Sequence, residues 1–526
     1  MKREGLARSG VVSLVGSAFA AAAALGLTVV VGNGIGASGT GAFFQAIGVA
    51  TVLIQALKLG TNSAIVRSLA EQRALGIHGE SWRIALVAVV PVIALSAVAA
   101  LIVGMLSGAI AEALSGSGDA RELESMLRFV APYLVIASAV GVLQTFARMV
   151  RGVVAFTLLQ NIILPAARLI AVVAAIWLGT GATGAVAAWL APLPVMLVFT
   201  LVVIIGPAIQ DWRRRSTERG SWQPAAADFW RFSSARGGGA ALETAYEWAD
   251  VILVGALASP AAAGVYAVVT RTVRAGQVVD RAMRVAVSPR ISELLVRGDV
   301  DAARRLHTAV ARLLILATWP FYLTLITLGP AVLAVFGPDF GEGVLVLAII
   351  AATLMVWTAA GMLQSILLQG GHSSWQLGNK AVALVLSIGL NLILIPLLGL
   401  PGAAIAWTVS MLADLSLAVW QVHRRMGVRL EPARLLLAAA LPIAVFGGGG
   451  LIARPLVGDS PLAAVITVAI LSVVYGLAAL LLRRRLGIDV VLRSLRKSGS
   501  AAPRTPVGED AAQGTPQPTG PLTPRQ

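Results

Sequence analysis

The sequence predicts an all-α polytopic membrane protein with about fourteen transmembrane helices, arranged as two pseudo-symmetric six-helix lobes followed by two C-terminal helices. Three observations lead to this fold class. Hydrophobic residues make up 57% of the 526 residues and the mean hydropathy is +0.84, values that indicate a chain built for the bilayer. The apolar runs are continuous and rich in Ala and Leu, which argues against the alternating pattern of a membrane barrel. Similar segments also recur in the two halves of the chain.

About fourteen apolar segments are long enough to cross a bilayer, since a spanning helix needs about 20 residues. A cleaved signal peptide is the competing interpretation of the start, but the apolar run continues to Val31, beyond a usual signal sequence. The first helix is therefore expected to remain. The predicted spans are 11–31, 41–60, 84–106, 128–147, 156–178, 185–206, 237–257, 264–288, 312–329, 344–367, 380–397, 402–421, 435–453 and 462–482.

Basic residues determine the predicted orientation, because Lys and Arg stay on the cytoplasmic side. Of the 41 Lys and Arg, 32 fall in the N-terminus, the even-to-odd loops with the adjoining span edges at Arg312 and Lys380, and the C-terminal tail, and only Arg121 and Arg454 fall in the opposite loops. We therefore expect a multi-pass protein of the plasma membrane with both termini in the cytoplasm. Most of the net charge of +16 comes from basic residues that set the orientation in the membrane. These residues are spread over short loops and do not form one basic surface, which argues against nucleic-acid binding.

These spans divide the chain into five predicted segments. The last of them is rich in Pro, Gly, Thr and Gln and has almost no large apolar residues, so we expect it to be cytoplasmic and largely disordered. The segments are the N-terminal lobe 1–210, a basic cytoplasmic linker 211–236, the C-terminal lobe 237–425, a helix pair 426–485 and the tail 486–526.

Two internal matches predict the pseudo-symmetry of the lobes. "GAVAAW" (184–189) opens the sixth span and "GAAIAW" (402–407) opens the twelfth. Independently, a shift of 223 residues places Gly41 on Gly264 and Lys58 on Arg281, which matches the second span to the eighth. Repeats in equivalent positions are typical of transporters built from two related halves.

The eighth span carries an unusual set of charges within "YAVVTRTVRAGQVVDRAMRVAVSPR" (266–290). At about 100° per residue, Arg271, Arg274, Arg281 and Arg284 fall on one face about 140° wide. Charge at membrane depth costs at least about 2.5–3.5 kcal/mol per residue, so this face must line a wet cavity or meet partners. Guanidinium groups match phosphate oxygens in bidentate geometry. The arginines, with Lys58 and Arg168, are therefore candidate ligands of an anionic headgroup.

The seventh span supplies acids for a competing interpretation. Glu243, Tyr246, Glu247 and Asp250 lie within an arc of about 100°, and Asp280 and Asp414 add two more acids. These carboxylates would either neutralise the arginines in a structural salt-bridged seam or exchange a coupling ion, H+ or Na+, because desolvated carboxylates can take up protons near neutral pH.

Several activities are disfavoured by what the sequence contains. With no cysteine, thiolate chemistry is excluded, and none of the four lysines follows a glycine as a Walker A lysine must. The four histidines fall in predicted cytoplasmic loops without ligand-like spacing, so solvated residues are expected and no metal site or other cofactor. They are His78, His307, His372 and His423. The acids of the longest outer loop, about 110–126, are expected to be solvated charges and not a catalytic pair.

The segment "GTGAFFQAIGVATVLIQALKLGTNSAIVRSLAEQRALG" (39–76) resembles the second helix and following loop of the polysaccharide flippases of the multidrug/oligosaccharidyl-lipid/polysaccharide exporter superfamily. Further resemblances are "AAAGVYAVVTRTVRAG" (261–276), "SPRISELLVRGD" (288–299) and "NLILIPLLGLPGAAIAWTVSM" (391–411), in the expected order. Membership implies two lobes around a central cavity, alternating access and export of lipid-linked sugars. It also implies membrane lipids and a lipid-linked saccharide as partners, and leaves polysaccharide or cell-wall assembly enzymes open.

The sequence thus predicts a flippase, not an enzyme, that moves a polyprenyl-diphosphate-linked saccharide of a surface polysaccharide or peptidoglycan precursor to the outer leaflet. A cation-coupled multidrug antiporter of the same superfamily is the alternative, and it would favour an acid-lined cavity. A membrane-embedded glycosyltransferase or polymerase would need catalytic acids outside the membrane, and a non-transporting scaffold would not need charges inside the spans.

Overall fold

The computed structural model describes residues 3–75, 81–116, 120–213, 222–427 and 432–483, and within these ranges the chain forms helices and turns without a strand. The predicted tail 486–526, the linker residues 214–221 and His78 lie outside the described residues. The all-α fold class is confirmed for the part that is described.

The helices of the predicted N-terminal lobe begin with one that holds two predicted spans. Gly36 divides α1 with φ 66° and ψ −177°, between the spans predicted at 11–31 and 41–60. A π-helical turn at Leu158–Ile163 joins α6 to α7. In chain order the helices are α1 (Arg3–Leu57), α2 (Thr61–Ala74), α3 (Ser81–Met105), α4 (Ser107–Leu114), α5 (Ala120–Arg151), α6 (Val153–Thr157), α7 (Leu164–Trp177), α8 (Gly181–Leu190) and α9 (Pro192–Arg213).

The helices of the predicted C-terminal lobe start earlier than the lobe boundary. Helix α10 begins at Trp222, so residues 222–236 of the predicted linker are helical and continuous with the seventh span. The helices are α10 (Trp222–Leu257), α11 (Pro260–Arg274), α12 (Gln277–Val296), α13 (Val300–Thr327), α14 (Gly329–Ala334), α15 (Val344–Ala359), α16 (Leu363–Gln369), α17 (Ser373–Leu398) and α18 (Leu400–Met426).

The C-terminal helices are α19 (Pro432–Pro442), α20 (Gly449–Val457) and α21 (Pro461–Leu481), with a π-helical turn at Ile443–Gly448 between the first two. The hydroxyl of Tyr475 donates a hydrogen bond to the carbonyl of Leu316 at 2.7 Å, which attaches α21 to α13. Most of the large apolar side chains of α21 are exposed, as expected for a helix that faces lipid.

Eleven helical segments of the described ranges are long and apolar enough to cross a membrane, which makes this a multi-pass membrane protein. One of them, Val15–Ala74, contains the first two predicted spans. The predicted seventh and eighth spans are helical but are not among the eleven. A count of fourteen therefore stays a prediction.

Helices α1 and α11 cross at the two glycines that the internal repeat matches. A Cβ atom at Gly41 would lie 1.7 Å from the carbonyl oxygen of Pro260, and one at Gly264 would lie 2.0 Å from that of Ala37. Glycine is therefore required at both positions for the helices to approach. Contact between equivalent residues is what a two-fold axis between related helices produces. The largest hydrophobic core surrounds this crossing, with Phe43 and Tyr266 fully buried.

The prediction of one continuous helix at 264–288 is wrong. The structure breaks it at Ala275–Gly276, between α11 and α12. A Cβ at Gly276 would come within 2.9 Å of Tyr322 and 2.8 Å of Phe321, so the chain packs its backbone against α13 at the break. Hydrophobic periodicity does not detect such a break, because it depends on a neighbouring helix.

Candidate functional site

Eight predicted site residues, seven of them on α10, α11 and α12 and the eighth, Lys58, directly after α1, lie in different environments. The competing interpretations differ in which cations pair with which acids. Arg168, on α7, completes the predicted set of nine.

Arg271 is held by aromatic rings. Its Cζ lies 3.9 Å from the ring centroid of Phe44 on α1 and 4.6 Å from that of Trp248 on α10. Within the described ranges it has no carboxylate within 4.0 Å. The side chain therefore contacts helices of both predicted lobes without a carboxylate partner.

Arg274 and Arg281 also lack an ion pair among the described side chains. Arg274 donates from Nη2 to the backbone carbonyl of Glu247 at 2.9 Å, and its charge acts on Asp250 without a direct salt bridge. Arg281 is exposed. At the membrane depth that the predicted eighth span gives it, an exposed arginine would have to contact water, because contact with lipid would be too costly.

Arg284 differs from the other three arginines, because it has an acid of its own helix. Its Nη2 lies 2.5 Å from Oδ2 of Asp280, one helical turn earlier, and its Cζ lies 5.5 Å from the ring centroid of Trp357. Asp280 is 1% exposed. This pair is the part of the predicted seam that the structure forms.

The two cations predicted from the first lobe, Lys58 and Arg168, each contact a different part of that lobe. Lys58 follows the last residue of α1 and packs beside Gly141 on α5, where an added Cβ would lie 3.6 Å from Nζ. Arg168 stacks on Trp189, with Cζ 3.6 Å from the ring centroid, and its Nε is buried without a hydrogen bond. Neither cation has an ion pair with a described carboxylate within 4.0 Å.

The acids of α10 also fall into two classes. Glu243 and Glu247 are exposed and lack ion pairs with described residues. Asp250 is 2% exposed, and its Oδ1 accepts hydrogen bonds from Ser387 Oγ at 3.0 Å and Asn391 Nδ2 at 2.8 Å. The Oδ1 atom of Asn391 is buried without a donor. Asp250 is therefore held by neutral donors of α17 and not by an arginine.

Helix α17 contributes residues that the sequence analysis missed. Lys380 forms an ion pair of 2.8 Å with Asp414 on α18, which also accepts from Gln364 Nε2 at 3.2 Å. Lys380, Ser387 and Asn391 follow one another at seven and four residues, so they share one face of α17. That spacing is visible in the sequence and indicates a polar face, which the prediction of a purely apolar span at 380–397 misses. Asp414, counted as an acid available to the arginines, is occupied by Lys380.

The expectation that all histidines are solvated loop residues is wrong for His307. It lies in α13, is 1% exposed, and its Nε2 is 3.0 Å from the carbonyl oxygen of Ala360. That carbonyl belongs to the turn between α15 and α16, which divides the predicted span 344–367. Helix α13 begins at Val300, so the residues between Val300 and the predicted start of the span near 312 are helical and not a loop.

Beyond the predicted end of the eighth span, a cluster of exposed charged residues lies at the C-terminal end of α12. Arg290 and Arg297 pair with Glu293 at 2.5 Å and 2.7 Å. The hydrogen bond from Arg290 lowers the pKa of Glu293, and the charges of both arginines add to this effect. These arginines are satisfied by a surface acid, unlike Arg271, Arg274 and Arg281.

The model of a family described as "Polysaccharide biosynthesis protein" matches residues 6–295. No curated protein sequence matches the chain.

Solved structures share the fold at low identity. A lipid II flippase MurJ in an inward closed conformation has a TM-score of 0.73 and 13% identity, covering 90% of this chain and 100% of its own. An inward-facing MATE family multidrug resistance transporter of the MOP superfamily has a TM-score of 0.63 and 15% identity, over 80% and 98% of the two chains. A MOP superfamily transporter from Pyrococcus furiosus, described as having a binding pocket of reverse polarity, has a TM-score of 0.54 and 18% identity, covering 80% of this chain and 95% of its own. At such identities the likeness establishes the fold.

Proposed function

The chain belongs to the polysaccharide biosynthesis protein family, and from this premise we propose that it is a flippase that moves a polyprenyl-diphosphate-linked saccharide from the inner to the outer leaflet by alternating access. The membrane is the plasma membrane, with both termini in the cytoplasm. The saccharide belongs to a cell-surface polysaccharide or to a peptidoglycan precursor; lipid II is the substrate named for the MurJ structure of similar fold.

The observation that carries the proposal is the set of arginines without acids on α11 and α12. Arg271, Arg274 and Arg281 have no carboxylate within 4.0 Å in the described ranges. Cations at membrane depth are stable only beside water or an anion. A diphosphate supplies oxygens that match the forked donors of guanidinium, and Arg271 and Arg274, one helical turn apart, can share its charge. Lys58 and Arg168 are the cations that the first lobe would contribute.

The cation-coupled drug antiporter remains the second candidate, because the exposed Glu243 and Glu247 favour it. A cationic drug would bind these carboxylates and be repelled by the arginines. The two functions therefore differ in which charges are needed: Glu243→Gln and Glu247→Gln would abolish antiport of a cation, whereas a flippase would lose headgroup binding through the arginines.

Coupling to an ion gradient is assigned to Asp250. The hydrogen bonds to this buried carboxylate come from the neutral groups of Ser387 and Asn391, and the nearby Arg274 forms no ion pair with it, so a bound H+ or Na+ can compensate its charge. The unpaired Oδ1 of Asn391 offers a further oxygen to the cation. Glu243 and Glu247, which are exposed, would serve as entry points for the ion.

The test is reconstitution of the purified protein in liposomes that contain a fluorescent polyprenyl-diphosphate saccharide, with flipping measured by a membrane-impermeant quencher. Arg274→Gln and Arg281→Gln should each slow flipping about tenfold to hundredfold, since a hydrogen bond to a charged group contributes about 1.5–3 kcal/mol. Arg→Lys should recover only part of the rate, because an ammonium group cannot form the two parallel hydrogen bonds that a guanidinium donates to a phosphate.

Arg297→Gln is the matched control. It removes a cation of the same helix that pairs with a surface acid, so flipping should be unchanged. Parental flipping by the Arg274→Gln, Arg281→Gln double variant would contradict the proposal. Transport of a cationic dye that depends on Glu243 and Glu247, without saccharide flipping, would decide for the antiporter.

A further inference from the structure

Phe44 and Trp248 hold the guanidinium of Arg271 in a defined position. Its Cζ lies 3.9 Å and 4.6 Å from the two ring centroids, both within the distance of about 6 Å at which a cation is attracted to an aromatic face. The rings come from α1 and α10, while the arginine stands on α11. Three helices therefore meet at this side chain.

Both rings are fixed by their own packing. Phe44 is 3% exposed and makes an edge contact with Phe43, with ring centroids 5.1 Å apart and an interplanar angle of 79°. Trp248 lies against the bare backbone of Gly48 on α1, where a Cβ would be 2.7 Å from Cε3 of the indole. This packing restricts the movement of both rings, so they hold the guanidinium in one position.

Aromatic rings hold an arginine without neutralising it. A carboxylate partner would also fix the side chain, but it would cancel the charge and occupy the N–H donors that an anion needs. A ring attracts the cation through its face, whereas the five N–H donors of guanidinium lie in the plane of the group. Arg271 has no hydrogen bond to the described protein atoms. Its N–H donors are therefore not occupied by another described group of the protein, although the side chain is at least half-buried.

We infer that Phe44 and Trp248 are positioning residues that present the guanidinium of Arg271 to the diphosphate of the substrate. The inference rests on the proposed function, since it assumes that the anion binds at the arginines. It adds two uncharged residues to the site and explains why the chain places rings, and not acids, beside this arginine.

The two rings belong to different predicted lobes, which links the position of Arg271 to the conformation. Trp248 is on the same predicted lobe as Arg271, whereas Phe44 is on α1 and reaches the arginine only while α1 lies against α11. The close crossing at Gly41 and Gly264 provides that contact. Under the proposed alternating access, a state in which α1 separates from α11 would take one ring from Arg271 and would lower its affinity for the diphosphate.

The experiment measures binding of inorganic diphosphate to the purified full chain in detergent by isothermal titration calorimetry. Phe44→Leu and Trp248→Leu should each raise the Kd about threefold to thirtyfold, the range that corresponds to the loss of one cation–π contact. Phe44→Tyr and Trp248→Phe keep a ring and should bind within about twofold of the parent. Phe232→Leu is the matched control, because it removes the ring under Arg67, 4.5 Å away, at a place outside the site.

The outcomes separate this inference from the function on which it rests. Leucine variants that bind diphosphate like the parent, when the parent binds it, overturn the positioning role and leave the function standing. A parent that does not bind diphosphate contradicts the headgroup site itself. If a leucine variant does not fold, Phe44→Met replaces it, since methionine fills a similar volume without a ring, and parental affinity of Phe44→Met would equally overturn the inference.

Discussion

Replacing Arg284 with glutamine should strand a buried carboxylate. Oδ2 of Asp280 lies 2.5 Å from Nη2 of Arg284, and Oδ1 is buried with no other partner. Asp280 is 1% exposed, so water cannot take the place of the arginine. The substitution therefore leaves a charge in the protein interior without a counter-ion.

The magnitude follows from the exposure of the two partners. Breaking a fully buried ion pair by removing one member costs about 3–5 kcal/mol. Because the side chain of Arg284 is 32% exposed, part of its attraction to Asp280 is already screened by solvent. We expect Arg284→Gln to lower the free energy of unfolding by about 2–4 kcal/mol.

The assay is a double-mutant cycle read by thermal unfolding in detergent through tryptophan fluorescence. Arg284→Gln should melt clearly below the parent, and adding Asp280→Asn should recover most of the loss, because no buried charge then remains. Arg290→Gln, which removes a pair with an exposed acid, should leave the melting temperature almost unchanged. The double variant should also keep most of its flipping rate, since Arg284 is assigned to Asp280 and not to the substrate.

Two results would refute this reasoning. A double variant as unstable as Arg284→Gln would mean that the carboxylate is not the source of the loss. A double variant that is stable but does not flip would place Arg284 in the headgroup site with the other arginines.

Three further predictions address topology, coupling and conformation. A single cysteine at Gly458 should react with an impermeant thiol reagent from outside intact cells and one at Ser216 should not; labelling at Ser216 would invert the predicted orientation. Asp250→Asn should make flipping insensitive to collapse of the proton, sodium and potential gradients, and a parent already insensitive to that collapse would remove the coupling role. Spin labels at Leu178 and Leu398, both exposed, should report a longer mean distance in Phe44→Leu than in the parent if the ring contact stabilises the packing of α1 on α11; an unchanged distance distribution would oppose that link.

The candidate site illustrates how far residue patterns reach. Helical spacing indicated that Arg271, Arg274, Arg281 and Arg284 are not lipid-facing, and the energetic cost of intramembrane charge required partners or water for them. The assignment of partners went wrong where it depended on other helices. Asp250 was offered to the arginines, but it binds Ser387 and Asn391, which stand 137 and 141 residues away in the chain.

The sequence by itself determined that the chain is a polytopic α-helical membrane protein, and it predicted charges concentrated in the seventh and eighth spans, because bilayer insertion responds to the average character of segments of about 20 residues. Only the tertiary structure decided which arginines stay unpaired, that the helix of Arg271 and Arg284 breaks at Gly276, and that Phe44 and Trp248 hold Arg271. Those outcomes depend on contacts of a few ångströms between helices distant in the chain, and no periodicity within one helix specifies which neighbour it will meet.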